Sequence, residues 1–295
     1  MRDFRTVFVA LVLVAPGFGF GSYELLCVTD YNNHVVRRFD GVTGASLGSF
    51  GGPGRMLNPT GIALDATTGL AYVANSTSKV IQVWNYSTGV LQRQFEVSSN
   101  VTQVTRLSSG DLMMATNSGL HVYSTDGAFV TTFASGLING AVEAPDGSIW
   151  YGVSGGGTQI YRTNFGAGPA SISLGAYLPF RQMAVVGDQV VLGAGTASND
   201  AVYAVNWSTY SITSSGLTSP AYGVAKGHSG NYYLAQSNSI IAGNTAFLGT
   251  HSAPFGVVPG GFYFSMDSVV APEPGTLLAV GLGLLVSVRR RKVAA

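Results

Sequence analysis

A short unit recurs about every forty residues through the middle of this chain, and no other feature limits its fold as tightly. Each copy runs as a polar or aromatic residue, a Gly or Gln, an apolar strand, a Gly-containing turn and a second strand of large apolar residues. The copies open at Thr60-Gly61, Thr102-Gln103, Asn139-Gly140, Arg181-Gln182, Tyr222-Gly223 and Phe255-Gly256, which sets the phase markers 42, 37, 42, 41 and 33 residues apart. That is the period of a four-stranded propeller blade. Two further strands complete each unit: residues 79–84 and 90–95 flank a turn from Asn85 to Gly89, and residues 121–123 and 129–133 flank Thr125-Asp126-Gly127. Tight turns built on Asx and Gly are what antiparallel neighbours need. Apolar spacing at i, i+3, i+4 hardly occurs there, so helices are not expected.

The expected fold is therefore all-β, a six-bladed β-propeller. Residues 25–29, 35–39 and 45–50 align with strands two to four of the next unit, so the first blade lacks its innermost strand. Gly256 opens a unit without a third or fourth strand. Ring closure resolves both, with residues 255–258 giving the N-terminal blade its inner strand and leaving no open edge. Residues 262–266 are then a spare strand. Counting them as part of an incomplete further blade gives seven, and the residues alone leave both counts open.

With 46% hydrophobic residues, 10% charged residues and 40 Gly, the chain has ample core material and is neither a charged disordered chain nor a helical bundle. Its formal charge of +1 is uneven: apart from the two ends, the middle carries 9 basic and 12 acidic residues. Nothing in that balance draws the chain to nucleic acid. The single cysteine, Cys27, excludes an internal disulfide framework and a thiolate-cluster metal site. It follows Glu24-Leu25-Leu26 without the small residues that precede a lipidated cysteine, and reads as a strand residue.

The two ends read as addresses. Residues 1–22 place Arg2 and Arg5 before an apolar run at 6–15, then Pro16, Gly17, Gly19 and Gly21, the layout of a secretory signal helix with its cut near Gly21 or Ser22. An apolar first strand is the other reading. Residues 271–295 contain Pro272-Glu273-Pro274, an uncharged stretch at 277–288, and Arg289-Arg290-Arg291-Lys292. This arrangement resembles the PEP-CTERM sorting tail of Gram-negative bacteria. The resemblance implies a membrane stop through a C-terminal transmembrane helix, cleavage near Pro272-Glu273-Pro274 by an exosortase-type processing enzyme, and delivery to the cell surface or extracellular polysaccharide. The run of 14 uncharged residues from Gly275 to Val288 falls short of the roughly 17–25 of an ordinary span, as a weak anchor would. An unprocessed single-span anchor is the alternative. The expected domains are thus 1–22, 23–270 and 271–295.

Within the middle, the copy spanning Pro59 to Asp65 and Gly69 to Asn75 resembles NHL repeats. The copy from Asn139 to Tyr151, with Pro145-Asp146-Gly147-Ser148-Ile149-Trp150-Tyr151, resembles repeats of streptogramin-lyase-like and gluconolactonase-like propellers. These likenesses imply a fold that serves lactonases, lyases and pure binding platforms alike. A gluconolactonase-like metal site would need oxygen ligands from several inner strands. Asn139 and Glu143 are offered, but Thr60, Thr102, Arg181, Tyr222 and Phe255 stand where further ligands belong. His34, His121, His228 and His251 have no nucleophile or carboxylate at triad spacing, no histidine accompanies the Trp150 repeat, and Gly155-Gly156-Gly157 lacks the lysine of a phosphate loop. No catalytic residue, metal ligand or cofactor is assigned.

One constellation remains. Loops after second strands carry Asp30, Asn32, Asn33, Asn75, Asn117, Asn199, Asp200 and Asn238, and they share a rim with the blade connections that bring Asn139, Arg181 and Tyr222. Such a ring of amides and carboxylates with one aromatic suits sugar hydroxyls. Asx residues also stabilise their own turns, a reading that needs no ligand. The functional expectation is an exported, non-enzymatic binding or structural propeller, with extracellular polysaccharide as a partner. The alternative is a lactonase-like or lyase-like enzyme with its site at the central mouth around Asn139 and Glu143.

Overall fold

The computed structural model describes residues 22–153, 159–163, 170–174, 180–194, 200–217, 219–227, 231–245 and 251–272. Residues 1–21 of the signal segment, Gly155 to Gly157, Asn199, His228, Glu273, Pro274, Arg289, Arg290, Arg291 and the expected C-terminal helix lie outside these residues, as does the side chain of Arg181. No α-helix occurs among the described residues, so none there is long enough to cross a membrane.

Strands β1 (Ser22–Asp30), β2 (Val35–Asp40) and β3 (Ser46–Gly51) belong to blade 1. Blade 2 is β4 (Pro59–Asp65), β5 (Leu70–Asn75), β6 (Val80–Asn85) and β7 (Val90–Glu96). Blade 3 is β8 (Val101–Arg106), β9 (Leu112–Thr116), β10 (Gly119–Tyr123) and β11 (Phe129–Ser135), and blade 4 is β12 (Ile138–Glu143), β13 (Ile149–Val153), β14 (Gln159–Thr163) and β15 (Ala170–Ser173). Blade 5 is β16 (Phe180–Val186), β17 (Gln189–Ala194), β18 (Ala201–Asn206) and β19 (Ile212–Gly216); blade 6 is β20 (Ala221–Lys226), β21 (Asn231–Gln236) and β22 (Ser239–Asn244). A last strand, β23 (Tyr263–Pro272), pairs with β1 and completes blade 1 in the order β23-β1-β2-β3. The ring has six blades.

The closing strand corrects the sequence expectation. Residues 255–258 do not form it, because Gly256 adopts a φ of 61° and Pro259 follows, which breaks an extended edge. Phe255 instead exchanges two backbone hydrogen bonds of 2.9 Å with Ile240, extending blade 6 outward. The ten residues of β23 contain no glycine, and Tyr263, Phe264, Ser265 and Met266 are all buried. Ser265 is the true phase marker, 42 residues after Gly223.

Local chemistry explains the hairpins. In three of them an Asx oxygen accepts backbone N–H groups two and three residues on: Asp40 from Val42 and Thr43, Asn85 from Ser87 and Thr88, and Asn206 from Ser208 and Thr209. The fifth residue of the turn is left-handed, Gly44 at 73° and Gly89 at 69°, and Tyr210 takes the same role at 62°. Apolar side chains of the three inner strands then pack between the faces of adjacent blades. Tyr72, Ile81, Val104 and Met114 fill the gap between blades 2 and 3, and Leu26, Phe39, Tyr233 and Tyr263 the gap between blades 6 and 1. Outer strands such as β7, β11 and β19 are mostly exposed.

Candidate functional site

The inner strands run through the ring in one direction, which defines two mouths. The first lies where these strands begin, the second where they end.

At the first mouth, loops after second strands meet blade connections as expected. Tyr31 N–H donates to the Phe262 carbonyl, Ser76 N–H to Asn58 and Asn117 N–H to Asn100. Several expected site residues are occupied in holding this rim together. The fully buried Asp30 carboxylate accepts from Arg37 Nε at 2.7 Å, from the Asn33 amide at 2.9 Å and from Phe262 N–H at 3.1 Å. Asn75, 3% exposed, accepts Leu57 N–H through its side-chain oxygen, and the Asn238 carbonyl accepts Val258 N–H. Asn32 is exposed and donates to the Gly260 carbonyl. Asn117 is exposed and Asn139 half-buried on the same rim. Desolvation lifts the Asp200 carboxyl above its usual range, and its Oδ1 has no hydrogen-bond partner among the described residues.

Sequence reasoning found one aromatic here, and the structure adds more. Tyr222 lies 5.0 Å from Phe262 by ring centroids, and Tyr31 lies 6.4 Å from Phe262 and 6.0 Å from Phe264, stacked on the latter at 27°. Tyr31, Tyr222 and Phe262 are half-exposed. Phe262 and Phe264 were hidden in the sequence by the misplaced closing strand.

Between the mouths the channel is crossed by two glutamines. Inner strands present an unpaired backbone edge to the axis, and that edge needs partners. Gln103 Oε1 accepts N–H from Ala141 at 2.9 Å and Met183 at 3.2 Å, while Nε2 donates to the Met183 carbonyl at 3.0 Å. Gln182 repeats this with Val224 and Met266 N–H, both at 3.0 Å, and the Met266 carbonyl at 2.7 Å. The only sequence signal was their place as phase markers among glycines.

Beyond this plug a cavity of about 270 Å³ opens at the second mouth. Leu64, Val142, Ala184 and Ala225 contribute apolar wall; Arg106, Lys226 and Asp267 contribute charge. Arg106 sits 3.0 Å from the Asp65 carboxylate. Desolvation would raise the Asp65 carboxyl, but hydrogen bonds from Thr68 and Thr67, with Arg106 beside it, hold it below its usual range. Asp267 goes the other way: desolvation pushes it up to about 6 despite N–H donors from Leu64 at 2.7 Å and Ser268 at 2.8 Å. Burial likewise pushes the Cys27 thiol up, which makes it an inert core residue.

Asn139 and Glu143 do not share a mouth. They stand at opposite ends of β12, about 13 Å apart at the ordinary rise of a strand. Glu143 accepts Ser108 N–H at 2.6 Å and Ser108 Oγ at 2.7 Å in the neighbouring blade. Among the described residues no three acidic, histidine or cysteine side chains are grouped to hold a metal.

Residues 270–292 match the PEP-CTERM protein-sorting motif. Fold and tail together define a class: a six-bladed β-propeller whose sorting motif implies export, membrane anchoring and recognition by an exosortase. More particularly, the propeller is similar to a catalytically inactive virginiamycin B lyase from Staphylococcus aureus with quinupristin, at 18% identity and a TM-score of 0.55, covering 70% of this chain and 73% of that one. It is also similar to a chain of a nidogen/laminin complex, at 11% identity and a TM-score of 0.70, covering 85% of this chain and all of the other. A streptogramin B lyase aligns at 15% identity and a TM-score of 0.54, covering 81% and 75%. At these identities the likeness is one of fold. A search of curated proteins finds no match.

Proposed function

We propose that this protein is a non-enzymatic surface or matrix component that holds polysaccharide at its first mouth after export. In this reading residues 1–22 are the export signal, 23–270 the binding propeller, and 271–295 the tail that stops in the membrane until processing delivers the propeller to the cell surface or releases it. The observation that carries the reading is the half-exposed set Tyr31, Tyr222 and Phe262 on a rim that also bears Asn32, Asn117 and Asn139. Flat rings receive the apolar C–H faces of sugars, and amides pair with hydroxyls as donor and acceptor at once.

Retention of the full-length protein on extracellular polysaccharide of its own cells tests this. Tyr31→Ala with Tyr222→Ala is expected to lower retention at least tenfold in a protein that still unfolds cooperatively. Unchanged retention would remove the proposal.

A further inference from the structure

The glutamine plug has threefold logic with two glutamines. The third residues of the inner strands read Gly61, Gln103, Gly140, Gln182, Gly223 and Ser265 around the ring. Each glutamine head serves the strands one and two blades ahead. Gln103 in blade 3 takes Ala141 of blade 4 and Met183 of blade 5; Gln182 in blade 5 takes Val224 of blade 6 and Met266 of blade 1. Two blades beyond Gln182, the same position holds Ser265.

The groups that a third glutamine would serve are fixed by register. Ile62 follows Gly61 as Ala141 follows Gly140, and Val104 follows Gln103 as Met183 follows Gln182. All four stand after the bulge at the start of their strands: Ile62 faces Val73, Ala141 faces Tyr151, Val104 faces Met114 and Met183 faces Leu192. Their N–H and C=O groups therefore point alike, at the axis. Among the described residues no side chain reaches the amides of Ile62 or Val104. Gly61 cannot cover Val104, since a Cβ there would lie 2.8 Å from its nitrogen. Ser265 is 1% exposed, and its Oγ has no hydrogen-bond partner among the described residues. Ile62 and Val104 both line the cavity that opens at the second mouth.

We infer that this third position is a ligand site for a primary carboxamide entering from the second mouth. Its oxygen accepts from Ile62 and Val104, its NH₂ donates to the Val104 carbonyl, and Ser265 supplies a further donor. The class follows from what the two glutamines do: each head engages both N–H and C=O of one residue, Met183 or Met266. A primary amide carries its oxygen and one hydrogen on the same side and meets that pair. A trans secondary amide places them on opposite sides, and a carboxylate offers the carbonyl no hydrogen. The cavity, about 270 Å³, admits a small body behind the head group. This site is on the opposite mouth from the proposed polysaccharide face, so either can fail alone.

The test uses the full-length protein in detergent with propionamide as probe, read by saturation-transfer NMR and by hydrogen exchange of the Ile62 and Val104 amides. Saturable propionamide binding is expected, with N-methylpropionamide and propionate at least tenfold weaker and with both amides slowed by the probe. Ser265→Gln is expected to abolish binding and raise Tm by completing the plug. Equal binding of the three probes, retained binding in Ser265→Gln, or unprotected amides in the unaltered protein would overturn the inference; the last needs no variant to fold.

Discussion

Thr29 and Ser265, 236 residues apart, form a reciprocal clasp: Thr29 Oγ1 accepts Ser265 N–H at 2.9 Å and donates to its carbonyl at 3.1 Å. The same hydroxyl lies 3.1 Å from the Thr60 carbonyl, so one buried side chain joins β1 to β23 and to blade 2. Closure of the ring therefore belongs to β23. A chain ending after Pro272 is expected to melt within a few degrees of the full-length protein, whereas one ending after Phe262 should lose cooperative unfolding. Differential scanning calorimetry of the two truncations decides this, and a cooperative transition in the shorter chain would contradict the closure.

The glutamine plug makes a separate prediction about stability. Gln182→Ala leaves Val224 N–H, Met266 N–H and the Met266 carbonyl without their partner. Each buried group left so costs on the order of 1–3 kcal/mol, partly recovered by water from the cavity. A total near ~3 kcal/mol corresponds to roughly 6–12 °C in Tm for a domain of this size. Thermal unfolding monitored by circular dichroism measures it; a shift below about 2 °C would mean that the plug carries no stability.

The blade period, the turns and the late start of blade 1 were legible because each rests on local chemistry: Asx at turn starts, Gly at left-handed positions, alternation along strands. Closure was misassigned for a local reason too. Phe255-Gly256 imitates the marker pair of the other units, while Ser265 replaces the Gly or Gln that identifies them. The site was less legible. Asp30 and Asn75 have the residue types of a sugar rim, but whether an Asx faces a ligand or a backbone N–H depends on neighbours far along the chain, here Phe262 and Leu57. Gln103 and Gln182 looked like punctuation, since their partners lie 80 and 84 residues away.

At the first mouth Asp30 ties Arg37 to the segment that leads into β23. Asp30→Ala strands the Arg37 guanidinium and the Phe262 amide, and breaking such a buried pair typically costs ~3–5 kcal/mol. Asp30→Asn keeps an acceptor and is expected to lose about half of that on the same scale. Chemical denaturation of both variants checks the order; an Asp30→Ala loss below about 1 kcal/mol would show that closure does not depend on the pair.

Asp267 predicts how stability depends on pH. Desolvation sets its folded pKa at about 6, above the ~3.9 of an unfolded aspartate, so the folded state binds the proton more tightly. Its contribution is full below about pH 4 and is lost as pH rises through about 6. Arg106, engaged with Asp65, and Lys226 line the same cavity. On going from pH 7 to pH 5, Tm of the unaltered protein should therefore rise relative to that of Asp267→Asn, which has no proton to gain. Parallel Tm curves for the two proteins would show that this carboxyl titrates as an ordinary aspartate. A ¹³C titration of the Asp267 carboxyl gives the midpoint directly, and a midpoint at the ~3.9 of an unfolded aspartate would mean that burial does not hold the proton on this group.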